Sequence, residues 1–155
     1  MSSAVTIREG GSADREFVRD LGVRTMPDSV APFRHVIPAL LEASFDGLLQ
    51  FVFGQPHLLL IAQAGDERAG YILTVDGMPD EVTRMPQAFI AYMAVEPSMR
   101  RRGIARQLLS AAEEAARKKG LPYMALMVTD DNAAAMDLYA SAGFLNERRL
   151  LCKPL

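Results

Sequence analysis

Several features are scarce in this chain, and each scarcity excludes a class of protein. The 155 residues include one cysteine, Cys152, so no disulfide can form within the chain. No run approaches the roughly 20 apolar residues that a membrane span needs. The formal net charge is only −2, so no overall basic field attracts nucleic acid. We therefore expect a cytoplasmic protein without a membrane or nucleic-acid partner, since a lone cysteine fits a reducing compartment.

The length and composition are those of one ordinary globular domain. A chain of 155 residues can bury a substantial core, and half of its residues are hydrophobic while 23% are charged. There is no internal repeat, low-complexity tract or linker in the sequence. We predict a single domain over residues 1–155.

The spacing of apolar residues predicts a mixed α/β fold. Strands are predicted at 5–8, 58–63, 69–75, 88–95, 123–128 and 144–153. Helices are predicted at about 13–24, 33–52, 104–119 and 132–142. The resulting order is β-α-α-β-β-β-α-β-α-β, with about six strands in a mixed sheet and about four helices. The strands at 58–63 and 69–75 should form a hairpin, and 76–87 reads as a loop because it holds Gly77, Pro79 and Pro86.

A turn rich in arginine follows the strand at 88–95 and precedes the clearest helix. Arg100, Arg101, Arg102 and Arg106 cluster where the helix begins, although the helix dipole disfavours each cation there by about 0.3–1 kcal/mol. A bound polyanion such as a pyrophosphate would offset this arrangement, and Gly103 permits a close backbone approach. A solvated basic turn is the alternative interpretation.

These residues resemble the GNAT (Gcn5-related N-acetyltransferase) superfamily. The family's signature Arg/Gln-x-x-Gly-x-Gly/Ala reads here as Arg100-Arg101-Arg102-Gly103-Ile104-Ala105. The segment 132–144 resembles the family element Asn-x-x-Ala-x-x-Leu-Tyr-x-x-x-Gly-Phe. The resemblance extends over residues 5–153, and it is weakest at 24–57 and 76–87.

The resemblance implies the GNAT fold and a site for acetyl-CoA or coenzyme A, with no metal. In the family, amides of the glycine-containing turn bind the coenzyme A pyrophosphate. The corresponding residues here are Arg100, Arg101, Arg102, Gly103, Ile104 and Ala105. The family's splayed strand would offer main-chain groups of Met93 and Val95 to the pantetheine arm. The Met93 amide would also stabilise the oxyanion as an amine attacks the thioester.

Two further roles carry over to Asn132 and Tyr139. By resemblance, Asn132 hydrogen-bonds the pantetheine arm, and Tyr139 is the general acid that protonates the departing thiolate. Helix capping by Asn132 and simple packing of Tyr139 are the alternatives.

The general base is the point where this chain departs from the family pattern. Several members carry a glutamate early in the strand before the turn, but the segment 89–93 has no carboxylate. Glu81 is our candidate base, and an amine that arrives neutral would need none. Asp80, Tyr92, His35 and a water chain are the other candidates, whereas we expect Glu96 to be exposed and His57 to be structural.

The sequence thus predicts an N-acetyltransferase that transfers an acetyl group directly from acetyl-CoA to a primary amine. The acceptor is a small molecule or a peptide, governed by 24–57 and 76–87. A coenzyme-A-binding sensor with the same fold but little turnover is the alternative. The strongly apolar region 33–52 indicates core, with a pocket wall or a homodimer contact as the other readings.

Overall fold

Five strands form one mixed sheet in the part of the chain that the structure describes. The computed structural model describes residues 4–155, so the first three residues of the predicted domain lie outside it. The strands are β1 (Val5–Glu9), β2 (His57–Ala64), β3 (Glu67–Pro79), β4 (Pro86–Val95) and β5 (Met124–Leu126), in the spatial order β1-β2-β3-β4-β5. Neighbouring strands are antiparallel except β4 and β5, which are parallel. The predicted mixed α/β fold is confirmed.

Helices cover both faces of this sheet. They are α1 (Arg15–Thr25), α2 (Pro38–Phe53), α3 (Ile104–Lys118) and α4 (Ala133–Ser141). Successive strand side chains point to opposite faces, which creates two cores. Helices α1 and α2 pack on the face that carries Leu59, Tyr71 and Leu73. Helix α3 packs on the opposite face, and Tyr139 and Phe144 join that second core.

The predicted hairpin is formed, whereas the predicted loop is shorter than expected. Strands β2 and β3 form the hairpin through a two-residue turn in which Gly65 has φ of 61°. The loop expected at 76–87 is shorter, since β3 continues to Pro79 and β4 already begins at Pro86. In the added part, Met78 pairs with Gln87 and Pro79 pairs with Pro86, next to the loop that joins the two strands.

Helix α2 begins five residues later than the sequence pattern predicted. Pro38 occupies its first turn, where the missing N–H costs nothing, and Ile37 before it is extended as proline requires. Phe45, Leu49 and Val52 are buried in the core, but Leu40 is 64% exposed. Part of the apolar region therefore serves the core and part faces solvent.

The strand predicted at 144–153 is not formed, and this is a correction to the expected six strands. Phe144 donates its amide to the Tyr139 carbonyl, and Gly143 before it has a left-handed φ of 93°. Arg148 then pairs with Asp80 in the β3–β4 loop. Among the described residues, 145–155 make no backbone-to-backbone hydrogen bond. The chain leaves the sheet edge at Gly143 instead of adding a strand to it.

None of the helices within residues 4–155 is both long enough and apolar enough to cross a membrane.

Candidate active site

The turn between β4 and α3 holds two residues in the left-handed region. Arg101 has φ of 64° and Gly103 has φ of 74°, and α3 begins at the next residue, Ile104. A non-glycine residue pays about 1–2 kcal/mol for this conformation, so the surrounding structure must enforce it at Arg101. Alternation of right- and left-handed residues turns successive amides toward a common side, which forms an anion-binding concavity.

Six consecutive amides at this turn are free. Within residues 4–155, the N–H groups of residues 101–106 have no backbone acceptor, and the first bonded amide is that of Gln107, 3.1 Å from the Gly103 carbonyl. A Cβ built on Gly103 would meet no atom within 4 Å, so the space in front of the turn is open. Free amides at a helix N-terminus, facing open space, fit a phosphate or pyrophosphate group.

Two of the four arginines of this turn have side-chain contacts in the structure, and the other two do not. Arg100 lies 3.5 Å from the Asp28 carboxylate, and its Nε donates to the Val95 carbonyl. Arg106 donates to the Ser141 hydroxyl in α4 at 2.9 Å. Arg101 and Arg102 are exposed and form no ion pair in the described part of the chain. Two guanidinium groups thus remain available beside the free amides.

A bulge in β4 redirects the main chain that leads into this turn. Leu73 of β3 pairs with Tyr92 and Thr74 pairs with Ile90, so Ala91 is an extra residue. Ala88 before the bulge donates to the Tyr123 carbonyl beside β5, whereas Glu96 after it donates to Ala69 of β3. The bulge therefore reverses which residues face each neighbouring strand.

Because of that reversal, the main-chain groups of Met93 and Val95 point away from β3. They face the side of β5, yet the pairing of β4 with β5 stops at Ile90 and Leu126. Because Met93 and Val95 point away from β3 and lie beyond the last β4–β5 pair, and because they bond to no residue outside the strands, their amides have no backbone acceptor among residues 4–155. The parallel strands diverge here and leave a gap lined by free amides. The sequence gives no sign of the bulge, because residues 88–95 are all apolar and show no alternation that a bulge could interrupt.

Asn132 and Tyr139 lie at the beginning and in the second turn of α4. The Asn132 Oδ1 accepts the Ala135 amide at 3.3 Å and so caps the helix, while its amide nitrogen donates to no described residue. Tyr139 stacks edge-on against Phe144 with ring centroids 5.5 Å apart. Burial, and to a smaller extent nearby Tyr92, raise the pKa of Tyr139, so its hydroxyl is protonated at neutral pH.

The two loop carboxylates considered as bases sit in different surroundings. Asp80 is buried, and its Oδ2 accepts bonds from Thr83 and the Val82 amide. The Arg148 guanidinium and these donors hold the pKa of Asp80 well below its usual range. Glu81 is 78% exposed and lies 3.3 Å from Arg148. Asp80 therefore stabilises the loop in its ionised form, and Glu81 keeps a solvent-exposed carboxylate.

Tyr92, Glu96 and His57 each form a polar contact with another residue. The Tyr92 hydroxyl lies 2.9 Å from Thr25 Oγ1, and burial raises its pKa. Glu96 forms an ion pair with Arg24 at 2.7 Å. His57 Nδ1 lies 2.8 Å from the Gln55 carbonyl, while His35 is exposed in the segment before α2.

The connection between α1 and α2 reaches over both sides of the gap. Asp28 meets Arg100 at the β4–α3 turn, and the Ser29 carbonyl accepts a bond from Thr129, which follows β5. No local sequence pattern predicts these contacts, because they join residues that are about 70 and 100 positions apart. They place residues 26–30 beside both the β4–α3 turn and the segment that follows β5.

In residues 4–155, no group of three or more histidine, cysteine, aspartate or glutamate side chains is arranged to hold a metal ion.

Solved structures with this fold include acetyltransferases. A chain from Pyrococcus furiosus, described as a candidate acetyl transferase, superposes with a TM-score of 0.84 at 24% identity, covering 98% of this chain and all of that one. The aminoglycoside N-acetyltransferase AAC(6')-Iy, solved in complex with CoA, gives a TM-score of 0.73 at 23% identity, covering 100% of this chain and 97% of that one. At these identities the likeness shows the fold.

Comparison with known sequences identifies the family. N-alpha-acetyltransferase 30 of Xenopus laevis is 30% identical over 100 residues, which are 64% of this chain and 36% of that protein. The human protein of the same name matches equally over 27% of its length, so this chain spans about a third or less of these relatives. The model of the acetyltransferase (GNAT) family matches residues 24–144, which include the turn, the bulge and α4. The chain therefore belongs to the acetyltransferase (GNAT) family.

Proposed function

We propose that this protein transfers an acetyl group from acetyl-CoA directly to the amine of an acceptor. One observation carries the proposal. Six free amides at residues 101–106 adjoin a strand gap lined by the free amides of Met93 and Val95. An anion cradle next to an open edge of main chain suits a ligand with a pyrophosphate and a long amide-containing arm. Coenzyme A has both parts.

The cofactor would be held mainly by main-chain groups. We assign the pyrophosphate to the amides of Arg101, Arg102, Gly103, Ile104 and Ala105, with the exposed guanidinium groups of Arg101 and Arg102 adding charge. Because Arg100 is tied to Asp28 and Val95, we expect it to shape the turn and contribute less to phosphate binding. The pantetheine arm would pair with Met93 and Val95, and the free amide nitrogen of Asn132 would donate to it.

The chemical step needs two groups beyond the binding site. As the acceptor nitrogen attacks the thioester carbon, the Met93 amide would stabilise the negative oxygen, in a role that main-chain donors perform well. When the carbon–sulfur bond breaks, the Tyr139 hydroxyl would donate its proton to the sulfur. Its raised pKa keeps the hydroxyl protonated until the thiolate develops, although it also lowers the driving force for donating that proton.

The identity of the general base stays a prediction. Glu81 is our candidate to take the proton that the acceptor nitrogen loses, and its exposure leaves it free to exchange that proton with solvent. Because Glu81 is exposed and already pairs with Arg148, we expect Glu81→Gln to reduce the rate only modestly. An amine that binds neutral would make the rate rise with pH without help from Glu81.

The acceptor is proposed only as a class. The relatives named above include a protein N-alpha-acetyltransferase and an aminoglycoside N-acetyltransferase, which both act on amines. We propose a peptide or small-molecule amine that enters past residues 26–30. We also propose that residues 1–155 act as one acetyltransferase domain, in the cytoplasm, where the exposed thiol of Cys152 would stay reduced.

Replacement of Tyr139 by phenylalanine tests the proposal. The ring keeps its contact with Phe144, so Tyr139→Phe should fold and bind acetyl-CoA, but kcat should fall about 10²–10⁴-fold. The matched control is Tyr123→Phe, which removes a hydroxyl from an exposed tyrosine beside β5 and should leave kcat unchanged. Thiol release from acetyl-CoA with a panel of amines is the assay. A wild-type chain that binds coenzyme A but releases no thiol with any amine would favour the sensor alternative.

A further inference from the structure

The segment that joins α1 to α2 exposes many apolar side chains. Residues 32–40 are all exposed, and four of these nine residues are large and apolar. They are Phe33, Val36, Ile37 and Leu40, and we call them the apolar face. Single exposed apolar residues are ordinary on a protein surface, but several on one short segment indicate a binding surface.

The packing of α1 against α2 places the apolar face at the end of the helices where the gap opens. Arg19 in the middle of α1 bonds to Asp46 in the middle of α2. Arg15 at the start of α1 stacks over Phe53 at the end of α2. The two helices are therefore antiparallel, and α2 begins beside the end of α1. Residues 26–30, which follow α1 and contact both sides of the gap, adjoin the apolar face.

Every carboxylate in the two segments expected to govern the acceptor, 24–57 and 76–87, is paired with a cation. The ion pairs join Asp28 to Arg100, Glu42 and Asp46 to Arg19, Asp76 to Lys119, and Asp80 and Glu81 to Arg148. In the same segments, Arg34 and Arg84 form no ion pair with any residue that the structure describes. These segments therefore carry uncompensated positive charge, which repels an acceptor with several ammonium groups.

A single ammonium group meets a different surface on the other side of residues 26–30. Thr129 follows β5 and donates to the Ser29 carbonyl, and Asp130 and Asp131 come next in the chain. Within residues 4–155, neither aspartate forms an ion pair. An acceptor can thus direct one amine toward the gap and these carboxylates while its apolar part lies against the apolar face.

We propose that the acceptor is a primary amine attached to a large aliphatic or aromatic group, and that the apolar face binds this group. The inference rests on the proposed acetyl transfer and adds the substrate class. Phenethylamine and the N-terminus of a peptide that begins with phenylalanine present the same chemistry, so either source fits. Polyamines are poor acceptors, because the positive charge of segments 24–57 and 76–87 opposes them.

The first test measures acetyl transfer to acceptors that differ in the group beside the amine. One pair is phenethylamine and ethanolamine, and the other is a peptide that begins with phenylalanine and the same peptide beginning with serine. We expect kcat/KM to be about tenfold or more higher for the apolar member, and the pair that turns over identifies the source. Equal values within each pair, or a preference for spermidine, would overturn the inference and leave the proposed acetyl transfer intact.

Phe33→Ser and Phe51→Ser form a matched pair of variants for the second test. The two phenylalanines are 56% and 50% exposed, so both variants should fold with similar melting temperatures. Phe51 lies about 20 Å along α2 from the first turn of the helix, far from the gap. Only Phe33→Ser should lower the apolar-to-polar ratio of kcat/KM, by about fivefold and mainly through KM. The ratio does not depend on the fraction of active protein, so general damage would not change it. An unchanged ratio in Phe33→Ser, or an equal loss in Phe51→Ser, would overturn the assignment of the apolar face.

The third test measures acceptor binding without turnover. Coenzyme A carries no acetyl group, so an amine can bind to the coenzyme A complex but cannot react there. By calorimetry, the Kd of phenethylamine or of the phenylalanine peptide should rise in Phe33→Ser and stay unchanged in Phe51→Ser. If this result is found but no acceptor releases thiol from acetyl-CoA, the apolar acceptor site stands and the proposed acetyl transfer fails. If neither acceptor binds to the wild-type complex, the inference is overturned.

Discussion

Gly103 and Gly120 lie at opposite ends of α3 and form a matched pair for testing the anion cradle. Their φ angles are 74° and 72°, and a Cβ on either would meet nothing within 4 Å. Replacement by alanine at either position should therefore cost the same left-handed strain, about 1–2 kcal/mol. For a chain of this size, each kcal/mol lowers the melting temperature by about 2–4 °C. We expect both variants to fold, with similar losses of stability.

Only Gly103→Ala should weaken coenzyme A binding. The new methyl group would project into the open space before the amides of residues 101–106, where we place the pyrophosphate. Misplacement of a charge-assisted contact commonly costs about 1.5–3 kcal/mol, so Kd should rise at least tenfold. Gly103→Glu should weaken binding further, because it adds a negative charge to an anion site.

Isothermal calorimetry with coenzyme A, paired with thermal melts, gives both quantities for each variant. Gly120→Ala serves as the control, with reduced stability and unchanged Kd. If Gly103→Ala binds coenzyme A as tightly as Gly120→Ala does at equal loss of stability, the turn is not the phosphate site. The solvated basic turn considered from the sequence would then be the correct interpretation.

Three further predictions follow from the ligand, the ion pairs and the packing. Coenzyme A at a hundredfold excess over its Kd should stabilise the native state by about 2.7 kcal/mol and raise the melting temperature more than ATP does. Equal rises in melting temperature with the two ligands would count against a coenzyme A site. The donors around Asp14, chiefly Arg8, hold the pKa of Asp14 well below its unfolded value. The ionised Asp14 therefore stabilises the fold above about pH 4, and this stabilisation is lost as the pH falls further. Asp14→Asn should lower the free energy of unfolding at pH 7 and flatten the acid side of the stability–pH curve. A Cβ on Gly22 would lie 2.0 Å from the Phe45 ring, so Gly22→Ala should destabilise the protein by more than about 1 kcal/mol. A Cβ on Gly47 in α2 would meet nothing, so Gly47→Ala should stabilise the protein by about 0.5–1 kcal/mol. Denaturant titrations measure both changes.

Local patterns in the sequence sufficed for most elements and for part of the site. The arginine turn followed by an apolar stripe from Ile104 predicted α3, because helix periodicity and capping are properties of neighbouring residues. Alternation predicted β1, and apolar runs bounded by turn residues predicted β2 to β4, for the same reason. The candidate site residues were predicted from short motifs at 100–105 and 132–144, and their roles stay predictions.

The sheet edge shows where this local reasoning failed. Residues 144–153 have the composition of a strand, but a strand exists only where another strand supplies hydrogen bonds. Instead, the chain turns at Gly143, Arg148 pairs with Asp80, and within the described range residues 145–155 form no backbone hydrogen bond with β5. Neither contact can be read from the segment itself, since Asp80 is 68 residues away in sequence.

The sequence by itself determined which segments could be helix or strand, and it determined that a glycine-containing turn with excess positive charge begins α3. These are consequences of side-chain period, turn chemistry and charge, which act over a few residues. Only the tertiary structure decided that Ala91 bulges and that Met93 and Val95 therefore face a gap. It also decided that Arg100 is tied to Asp28 while Arg101 and Arg102 stay exposed. Strand register and ion pairing depend on partners that are distant in the chain, so folding must bring those partners together before either is defined.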